Sequence, residues 1–313
     1  MAEKSEISWT HATFNPWRGC TKVSDGCKFC YAETLSARNP GVLGQWGPKG
    51  ERVIAAENYW KQPLKWDREA KAAGERRRVF CASLADVFEG KDTMPAESWP
   101  HVQNARVRLF ETIDNTPNLD WLLLTKRPEN VMHLCGSSSW AGLIPANVWI
   151  GTSVEDQATA NERIPRLAEV PAAVRFLSCE PLLGAVDLKL SLGYIDWVIV
   201  GGESGPHARP MHPDWARSLR DQCQAAGVAF HFKQWGRNLP ESQWDSFSTD
   251  INAQRCARNS YDLSERTIRS VRAHGERFYP MNKSEAGYLL DGEVWQQFPA
   301  QRAAGSLFAE TTP

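Results

Sequence analysis

The chain has 313 residues, 42% of them apolar and 23% charged, which is the composition of an ordinary globular protein. Its formal net charge of −1 gives no electrostatic footprint for broad nucleic-acid binding. Because the sequence has no run of about 18 apolar residues and the segment 1–6 lacks the apolar core of a secretion signal, we expect a cytoplasmic protein without membrane contact.

Short apolar runs alternate along the chain with longer amphipathic segments. The apolar runs predict strands buried on both faces of a parallel sheet, at Ile7–Ala12, Val79–Leu84, Trp121–Thr125, Val148–Ser153, Arg175–Cys179, Trp197–Val200 and Val228–Phe232. The amphipathic segments predict helices at Ala55–Ala73, Pro95–Ile113, Arg127–Cys135, Asp156–Leu167 and Pro213–Ala226. This alternation predicts an α/β fold, a partial or near-complete (β/α) barrel over residues 1–240. A doubly wound open sheet is the alternative.

The sequence changes character after about Pro240. It becomes polar, with a helical pattern and without a strong strand. We therefore expect residues 241–313 to form a helical C-terminal extension or cap.

Polar or glycine-rich groups follow the predicted strands. They are Asp86, Lys126, Ser153 with Glu155, Glu180, Gly201-Gly202-Glu203, and Lys233. The carboxyl ends of the strands of a parallel barrel open on one mouth, so we expect these groups to share a cleft.

Cys20, Cys27 and Cys30 lie within eleven residues, in a loop that follows the first predicted strand. The odd count and a reducing compartment argue against disulfides, so the triplet predicts metal or cluster ligation. An iron–sulfur cubane is normally held by four thiolates. Three would leave one iron open to an outside ligand such as S-adenosyl-L-methionine (SAM).

The segment Cys27-Lys28-Phe29-Cys30 resembles the C-x-aromatic-C half of the radical SAM motif. Further segments resemble successive signatures of one family, at residues 19–33, 124–128, 151–155, 178–182, 197–206 and 232–236. The chain is thereby identified as a member of the phage- and bacterium-encoded three-Cys-motif family of unknown function, related to the radical SAM superfamily. This resemblance implies a barrel of the radical-SAM type, a [4Fe-4S] cluster and SAM.

An enzyme of this kind would cleave SAM reductively and abstract hydrogen from its substrate. The substrate is unknown, with a nucleotide or nucleic acid as the leading candidate, and a flavodoxin or ferredoxin would serve as reductant. The metal ligands would be Cys20, Cys27 and Cys30. The predicted catalytic residues are Lys126, Glu180 and Lys233, and the predicted cofactor-binding residues are Phe29, Tyr31, Asp86, Ser153, Glu155, Gly201, Gly202 and Glu203.

Two features depart from the superfamily pattern. Six residues separate Cys20 from Cys27, where three are usual, and the Gly-Gly-Glu segment follows the sixth predicted strand instead of the second. The main alternative is a zinc site closed by His11, in a nucleic-acid- or protein-binding adaptor without catalysis. Each charged residue of the cleft could also form a structural salt bridge.

Overall fold

The computed structural model of the protein describes residues 5–136, 140–141, 143–189, 191–244, 270–281 and 286–300. Its helices are α1 (Tyr31–Ser36), α2 (Pro40–Leu43), α3 (Lys61–Ala73), α4 (Ser98–Asp114), α5 (Val131–Cys135), α6 (Gln157–Ala168) and α7 (Pro213–Ala226). Its strands are β1 (Ala12–Thr13), β2 (Trp17–Arg18), β3 (Val53–Ile54), β4 (Arg77–Cys81), β5 (Leu119–Thr125), β6 (Val148–Ser153), β7 (Val174–Cys179), β8 (Trp197–Gly201), β9 (Ala229–Gln234), β10 (Asn238–Pro240), β11 (Val271–Ala273), β12 (Glu276–Pro280), β13 (Leu289–Leu290) and β14 (Glu293–Val294).

Seven strands form one parallel sheet, in the order β1, β4, β5, β6, β7, β8 and β9. From β4 onward each strand pairs with the next one along the chain, and the sheet curls into a half-barrel. A doubly wound sheet would reverse its strand order partway, and this sheet does not. The predicted partial (β/α) barrel is therefore confirmed.

The predicted first strand, Ile7–Ala12, is wrong in its bounds because a turn occupies most of it. The Thr10 backbone N–H donates to the Ile7 carbonyl, and the Thr10 hydroxyl donates to the carbonyls of Ala12 and Arg78. Only β1 therefore reaches the sheet.

Helix boundaries follow local signals where these exist. Helix α7 has the predicted bounds, and Gly227 ends it with a positive φ of 67°. The helix predicted over Ala55–Ala73 begins only at Lys61, and the helix predicted at Arg127 begins with a 3-10 turn, Pro128–Asn130.

The strands separate two apolar clusters, because successive side chains point to opposite faces of the sheet. The face covered by helices carries most of the core. The concave face carries a second cluster rich in aromatic rings, made of Trp9, Phe80, Leu122, Trp149, Val174, Phe176, Trp197 and Ile199. At Gly151 a Cβ would come within 2.4 Å of the Phe176 ring, so glycine is what lets this ring fill the concave face.

The expected helical C-terminal extension is wrong for the part of it that the structure describes. The described residues after Pro240 form a 3-10 turn, Glu241–Gln243, and short antiparallel strands, of which β11 and β12 make one small sheet with β10 and β13 pairs with β14. The side chain of Phe278, in the middle of β12, is fully buried. The rest of the predicted extension, 245–269, 282–285 and 301–313, lies outside the described residues.

The segment after β14 lies along the outer edge of β9. The Phe232 N–H donates to the Trp295 carbonyl at 2.6 Å, and the Gln297 N–H donates to the Phe230 carbonyl at 3.0 Å. This pairing covers an edge that would otherwise expose unpaired backbone groups. Within the described segments, no helix has the length and apolar character needed to cross a membrane.

Candidate functional site

A cavity of about 470 Å³ opens at the carboxyl ends of the parallel strands. Apolar side chains line part of it, including Ile7, Trp9, Phe80 and Leu124. Polar and charged groups contributed by the loops after β4, β5, β7 and β8 line much of the rest. The mouth predicted from the strand ends therefore exists, with apolar groups from the concave face of the sheet beneath it.

The cysteine loop lies along one wall of this cavity. Cys20, Cys27 and Cys30 all line the cavity, and Cys30 directly precedes α1. Gly19 adopts a φ of 105°, and a Cβ there would come within 2.7 Å of the Gln45 carbonyl oxygen. A glycine at this point lets the backbone turn into the loop.

Two of the thiols have pKa values above their ordinary range. Burial raises the pKa of Cys20, Glu89 and Asp86 raise it further, and the Arg127 guanidinium opposes the rise by its charge and a hydrogen bond. Burial also raises the pKa of Cys30, and backbone hydrogen bonds at Glu33 and Ala32 oppose that rise more than the charge of Lys126 does. Burial therefore dominates at both thiols.

Two arginine side chains hold the cysteine loop at Thr21. Its carbonyl accepts a 2.7 Å hydrogen bond from Arg127 Nη2, and its hydroxyl oxygen accepts a 2.9 Å bond from Arg52 Nη2. Arg52 is in turn held by Glu89 through two hydrogen bonds of 3.0 and 2.7 Å, and both side chains are fully buried. Cys20 is thus anchored through its chain neighbour by a buried ion network.

Asp86 is part of the same network. Its carboxylate accepts from the Thr125 hydroxyl at 2.7 Å and from the Lys126 N–H at 3.1 Å, and it pairs with Arg127 at 2.9 Å. The residue lines the cavity as predicted. All three contacts come from the segment 125–127, so Asp86 holds the start of the loop after β5 in place. These contacts occupy most of the acceptor sites of its carboxylate.

Glu155 takes a different position from the predicted one. It is 1% exposed and is not among the residues that line the cavity. Its carboxylate binds Lys126 Nζ, accepts from Arg163 Nη1 at 3.0 Å and accepts from the Ser24 hydroxyl at 3.0 Å. Burial raises the pKa of Glu155, but Lys126 and Arg163 outweigh it, so the pKa lies below its ordinary value.

Lys233 and Glu180 form a salt bridge of 2.7 Å at the cavity wall. A Cβ at Gly201 would come within 2.6 Å of Glu180 Oε1, so this glycine makes room for the carboxylate without lining the cavity. At Gly202 a Cβ would come within 2.1 Å of the Trp235 carbonyl oxygen. The glycines after β8 therefore serve close packing of backbone and carboxylate.

Arg209 joins the loop after β8 to the cysteine loop. Its guanidinium binds Glu203 through bonds of 2.9 and 2.6 Å, and it also binds the Asp25 carboxylate at 2.5 Å and the Asp25 carbonyl at 3.0 Å. The guanidinium carbon lies 5.2 Å from the centre of the Phe29 ring. Glu203 and Phe29 both line the cavity, so Arg209 ties two of its walls together.

The remaining predicted contacts, Tyr31 and Ser153, also line the cavity. The Tyr31 hydroxyl donates to the Ser83 carbonyl at 2.8 Å, and Ser153 is buried at the end of β6. Twelve predicted residues thus share one cavity: Cys20, Cys27, Phe29, Cys30, Tyr31, Asp86, Lys126, Ser153, Glu180, Gly202, Glu203 and Lys233. Their roles stay predictions.

The sequence did not predict roles for Arg52, Glu89, Arg127, Arg163 or Arg209. Arg127 directly follows Lys126 in the segment that resembles a family signature, which is the local signal that could have found it. Arg52 and Glu89 pair across 37 positions, whereas Arg163 and Arg209 bind Glu155 and Glu203, eight and six positions away, and no local pattern marks any of these pairs.

The zinc site closed by His11 is wrong. The His11 ring accepts a 2.8 Å hydrogen bond from the Arg78 N–H, near the amino end of β4, and His11 does not line the cavity. Within the described ranges, no three His, Cys, Asp or Glu side chains converge closely enough to hold a metal ion as they stand. The donor set still fits a thiolate-bound group, because the three thiols line one cavity together with the cations Lys126 and Arg127.

Solved structures of spore photoproduct lyase are similar to this chain. One, with bound AdoMet and dinucleoside spore photoproduct, matches at 16% identity with a TM-score of 0.45, over 90% of this chain and 72% of its own. Another, complexed with dinucleoside spore photoproduct, has 16% identity, the same coverage and a TM-score of 0.44. These values are too low to transfer a function.

No curated protein matches the chain. A protein-family profile, described as a protein of unknown function (DUF5131), matches residues 4–299. The chain therefore belongs to the DUF5131 family.

Proposed function

We propose that this protein is a radical SAM enzyme in which Cys20, Cys27 and Cys30 hold a [4Fe-4S] cluster. The supporting observation is that these three thiols line one cavity at the carboxyl ends of a parallel half-barrel. A site with three thiolates has one open position, and chemistry needs such a position. The relationship to the radical SAM superfamily belongs to this proposal.

With the cluster and SAM bound, an electron from a flavodoxin or ferredoxin would yield a carbon radical that abstracts hydrogen from the substrate. The chain's own residues would bind and shield the reactants. Ile7, Trp9, Phe80 and Leu124 give the cavity an apolar lining that excludes water. Phe29 and Tyr31 stand beside the thiols, where a ring could cover the adenine.

The Lys233–Glu180 pair offers a cation and a carboxylate 2.7 Å apart in the same cavity. SAM carries a carboxylate and an amino group on one carbon, and this pair could exchange its internal salt bridge for both groups. Lys126 is held by Glu155 and so can present a fixed charge to the cavity. We propose these three residues, Lys126, Glu180 and Lys233, as the polar contacts that orient the reactants.

We propose a nucleotide, free or within a nucleic acid, as the substrate class. Aromatic rings form part of the cavity lining, which suits a planar base, and Lys126 offers a cation to a phosphate. Incubation of the reconstituted protein with SAM, dithionite and single nucleosides, nucleotides or oligonucleotides would test this class by mass spectrometry of the products.

Anaerobic reconstitution with iron and sulfide tests the proposal itself. The full-length chain should become brown and should release 5′-deoxyadenosine from SAM when dithionite is present. Cys27→Ala should lose both properties, whereas Cys223→Ala, in the buried core on α7, should keep them. A colourless wild-type protein that binds one zinc ion would contradict the proposal and favour the adaptor alternative.

A further inference from the structure

Two serine residues on neighbouring strands contribute hydroxyl groups to the cavity. Ser153 ends β6, Ser178 lies near the end of β7, and the two residues pair in register. Both residues are buried, with 3% and 2% of their surface exposed, and both line the cavity. Within the described residues neither hydroxyl has a hydrogen-bond partner, and neither is among the polar atoms that are closed off from the surface. The cavity therefore has two adjacent hydroxyls that a ligand can reach.

Most other hydroxyl groups of the cavity wall are used by the protein itself. Among the described residues that line the cavity, the hydroxyls that donate to a protein oxygen are those of Thr21, Tyr31, Ser83 and Thr125. Ser204 has no such bond either, but it is only half-buried, in the loop after β8. Because a buried hydroxyl without a partner is costly, we expect the hydroxyls of Ser153 and Ser178 to bind a ligand.

The surroundings of the serine pair are largely apolar. Side chains alternate along a strand, so Ser178 shares the concave face of the sheet with Phe176, which belongs to the aromatic cluster. Leu124 is half-buried on the same face and lines the cavity. A few polar groups in an apolar cavity fix the orientation of a ligand. Each hydroxyl can donate and accept without carrying a charge, which suits the edge of a nucleobase, where donors and acceptors lie side by side.

The serine pair lies deeper in the half-barrel than the cysteine loop does. The loop meets the barrel at Glu155, two residues beyond Ser153 and past the end of β6. There the Ser24 hydroxyl donates to the Glu155 carboxylate at 3.0 Å, and a Cβ at Gly26 would come within 2.4 Å of Glu155 Cγ. A ligand held by the thiols lies at the level of this loop, so the serines below it are available to the substrate.

We propose that Ser153 and Ser178 form a site that binds the edge of the substrate's base. Each hydroxyl donates to, or accepts from, one polar atom of the ring. The inference rests on the proposed function, because it takes the substrate class from there, and it goes further by naming two residues that bind the base. The sequence predicts a cofactor contact for Ser153 and no role for Ser178.

Binding of the four 2′-deoxynucleosides to the reconstituted chain, with SAM at saturation, tests this site. A 2′-deoxynucleoside carries a base but lacks the vicinal hydroxyls of a ribose, so it separates a base site from a ribose site. We expect the wild type to bind at least one of the four. Ser153→Ala and Ser178→Ala should each raise its dissociation constant about 2- to 10-fold, the effect of one lost hydrogen bond, and should leave the dissociation constant of SAM unchanged. Isothermal titration calorimetry measures both constants.

Urea unfolding of the cluster-free protein separates binding from a structural role. Since neither hydroxyl has a partner within the described part of the chain, both alanine variants should keep the wild-type midpoint or exceed it. Thr116→Val is the control, because the Thr116 hydroxyl is buried outside the cavity, donates to the Thr112 carbonyl at 2.8 Å and accepts from Trp121 Nε1 at 3.0 Å. This variant should lower the midpoint and keep the binding of the deoxynucleoside.

Unchanged deoxynucleoside binding in both serine variants, or a wild type that takes up a cluster but binds none of the four, would overturn the inference alone. Weaker binding of SAM with unchanged binding of the deoxynucleoside would assign the pair to the cofactor and would also overturn it. A lower urea midpoint in both serine variants would assign the hydroxyls to the fold. A wild-type chain that takes up no cluster would overturn the proposed function and this inference with it.

Discussion

Gly26, in the cysteine loop, lies directly against the buried carboxylate of Glu155. A Cβ at Gly26 would come within 2.4 Å of Glu155 Cγ and 2.6 Å of Oε1. Glu155 cannot withdraw, because its carboxylate is bound by Lys126, Arg163 and Ser24. The position of the loop between Cys20 and Cys27 is therefore set by contact with a buried ion cluster.

This contact predicts that Gly26→Ala will displace the loop. The added methyl group should lower the free energy of unfolding by about 1–3 kcal/mol, the usual cost of overpacking a filled site. It should also lower the iron content after reconstitution, because Cys27 follows directly. Thermal unfolding of the cluster-free protein and iron analysis measure the two effects.

Gly41→Ala is the control for this substitution. Gly41 lies in α2, and a Cβ there would meet nothing within 4 Å. Its stability and iron content should match the wild type, since alanine is accepted more readily than glycine in a helix. Normal iron content in Gly26→Ala would show that the loop does not depend on this contact.

Much of the fold could be predicted because its signals are local. Seven apolar runs predict the parallel strands, and Pro213 with Gly227 marks both ends of α7. The carboxyl ends of parallel strands lie at one end of a barrel, and twelve residues predicted to share a cleft there do line one cavity. Local patterns were sufficient for these features because buried strands and helix ends each require particular residue types.

The rest depends on pairing between distant segments. Arg209 binds Asp25 across 184 positions, and Arg52 binds Glu89 across 37, and neither arginine differs in its sequence surroundings from a solvated one. Glu155 follows a strand end like the other predicted residues, but Arg163 and Lys126 hold it away from the cavity. The position of a residue in the sequence indicates at which end of the barrel it lies. The direction of its side chain depends on its ion-pair and hydrogen-bond partners, which the sequence does not reveal.

Arg209 bridges two carboxylates, those of Glu203 and Asp25, and we expect their removal to affect stability unequally. Glu203 is buried, so Glu203→Gln leaves the Arg209 charge poorly matched and should lower the free energy of unfolding by about 1–3 kcal/mol. Asp25 is 69% exposed, and Asp25→Asn should have a much smaller effect on stability.

Amide hydrogen exchange provides a second test of how firmly Arg209 holds the cysteine loop. The Cys27 N–H donates to the Ser24 carbonyl at 3.0 Å within the loop that Arg209 holds. Arg209→Gln should speed exchange at this amide, and Arg209→Lys should too, because a lysine cannot form the two-pronged contact with Glu203. Unchanged exchange in both variants would mean that the loop is held by its other contacts alone.

The buried Arg52–Glu89 pair predicts strong coupling in a double-mutant cycle. Among the described residues, Arg52→Gln leaves the buried Glu89 carboxylate with Arg127, at 3.8 Å, as its remaining salt-bridge partner, and each single variant should lose about 3–5 kcal/mol of stability. The double variant should lose less than the sum, by about 0.5–3 kcal/mol, since neither partner is then left alone. Urea unfolding of the cluster-free protein measures the cycle.

The pair Arg108–Glu57 is the matched comparison for this cycle. It is also two-pronged, through Nη1 and Nη2 of Arg108 at 2.6 and 2.7 Å, but both side chains are exposed. Its coupling should be much smaller because water screens the charges. Similar coupling in both cycles would show that burial of the Arg52–Glu89 pair does not strengthen it.

His231 predicts a dependence of stability on pH. Its ring is fully buried on β9, with Nε2 2.9 Å from the Ser8 hydroxyl, and burial lowers its pKa to about 4. The unfolded chain takes up a proton below about pH 6.5, and the folded chain takes it up only near pH 4. The contribution of neutral His231 is therefore complete above pH 6.5 and is lost as the pH falls, by up to about 3 kcal/mol.

His231→Gln should flatten this part of the stability profile, because glutamine does not titrate. The variant should be less stable than the wild type at pH 7, where the packing of the ring is lost, and the difference should shrink toward pH 4. The control is His101→Gln, at an exposed position on α4, which should keep the wild-type profile. Urea unfolding at several pH values measures the three profiles, and parallel curves for the wild type and His231→Gln would contradict the assignment.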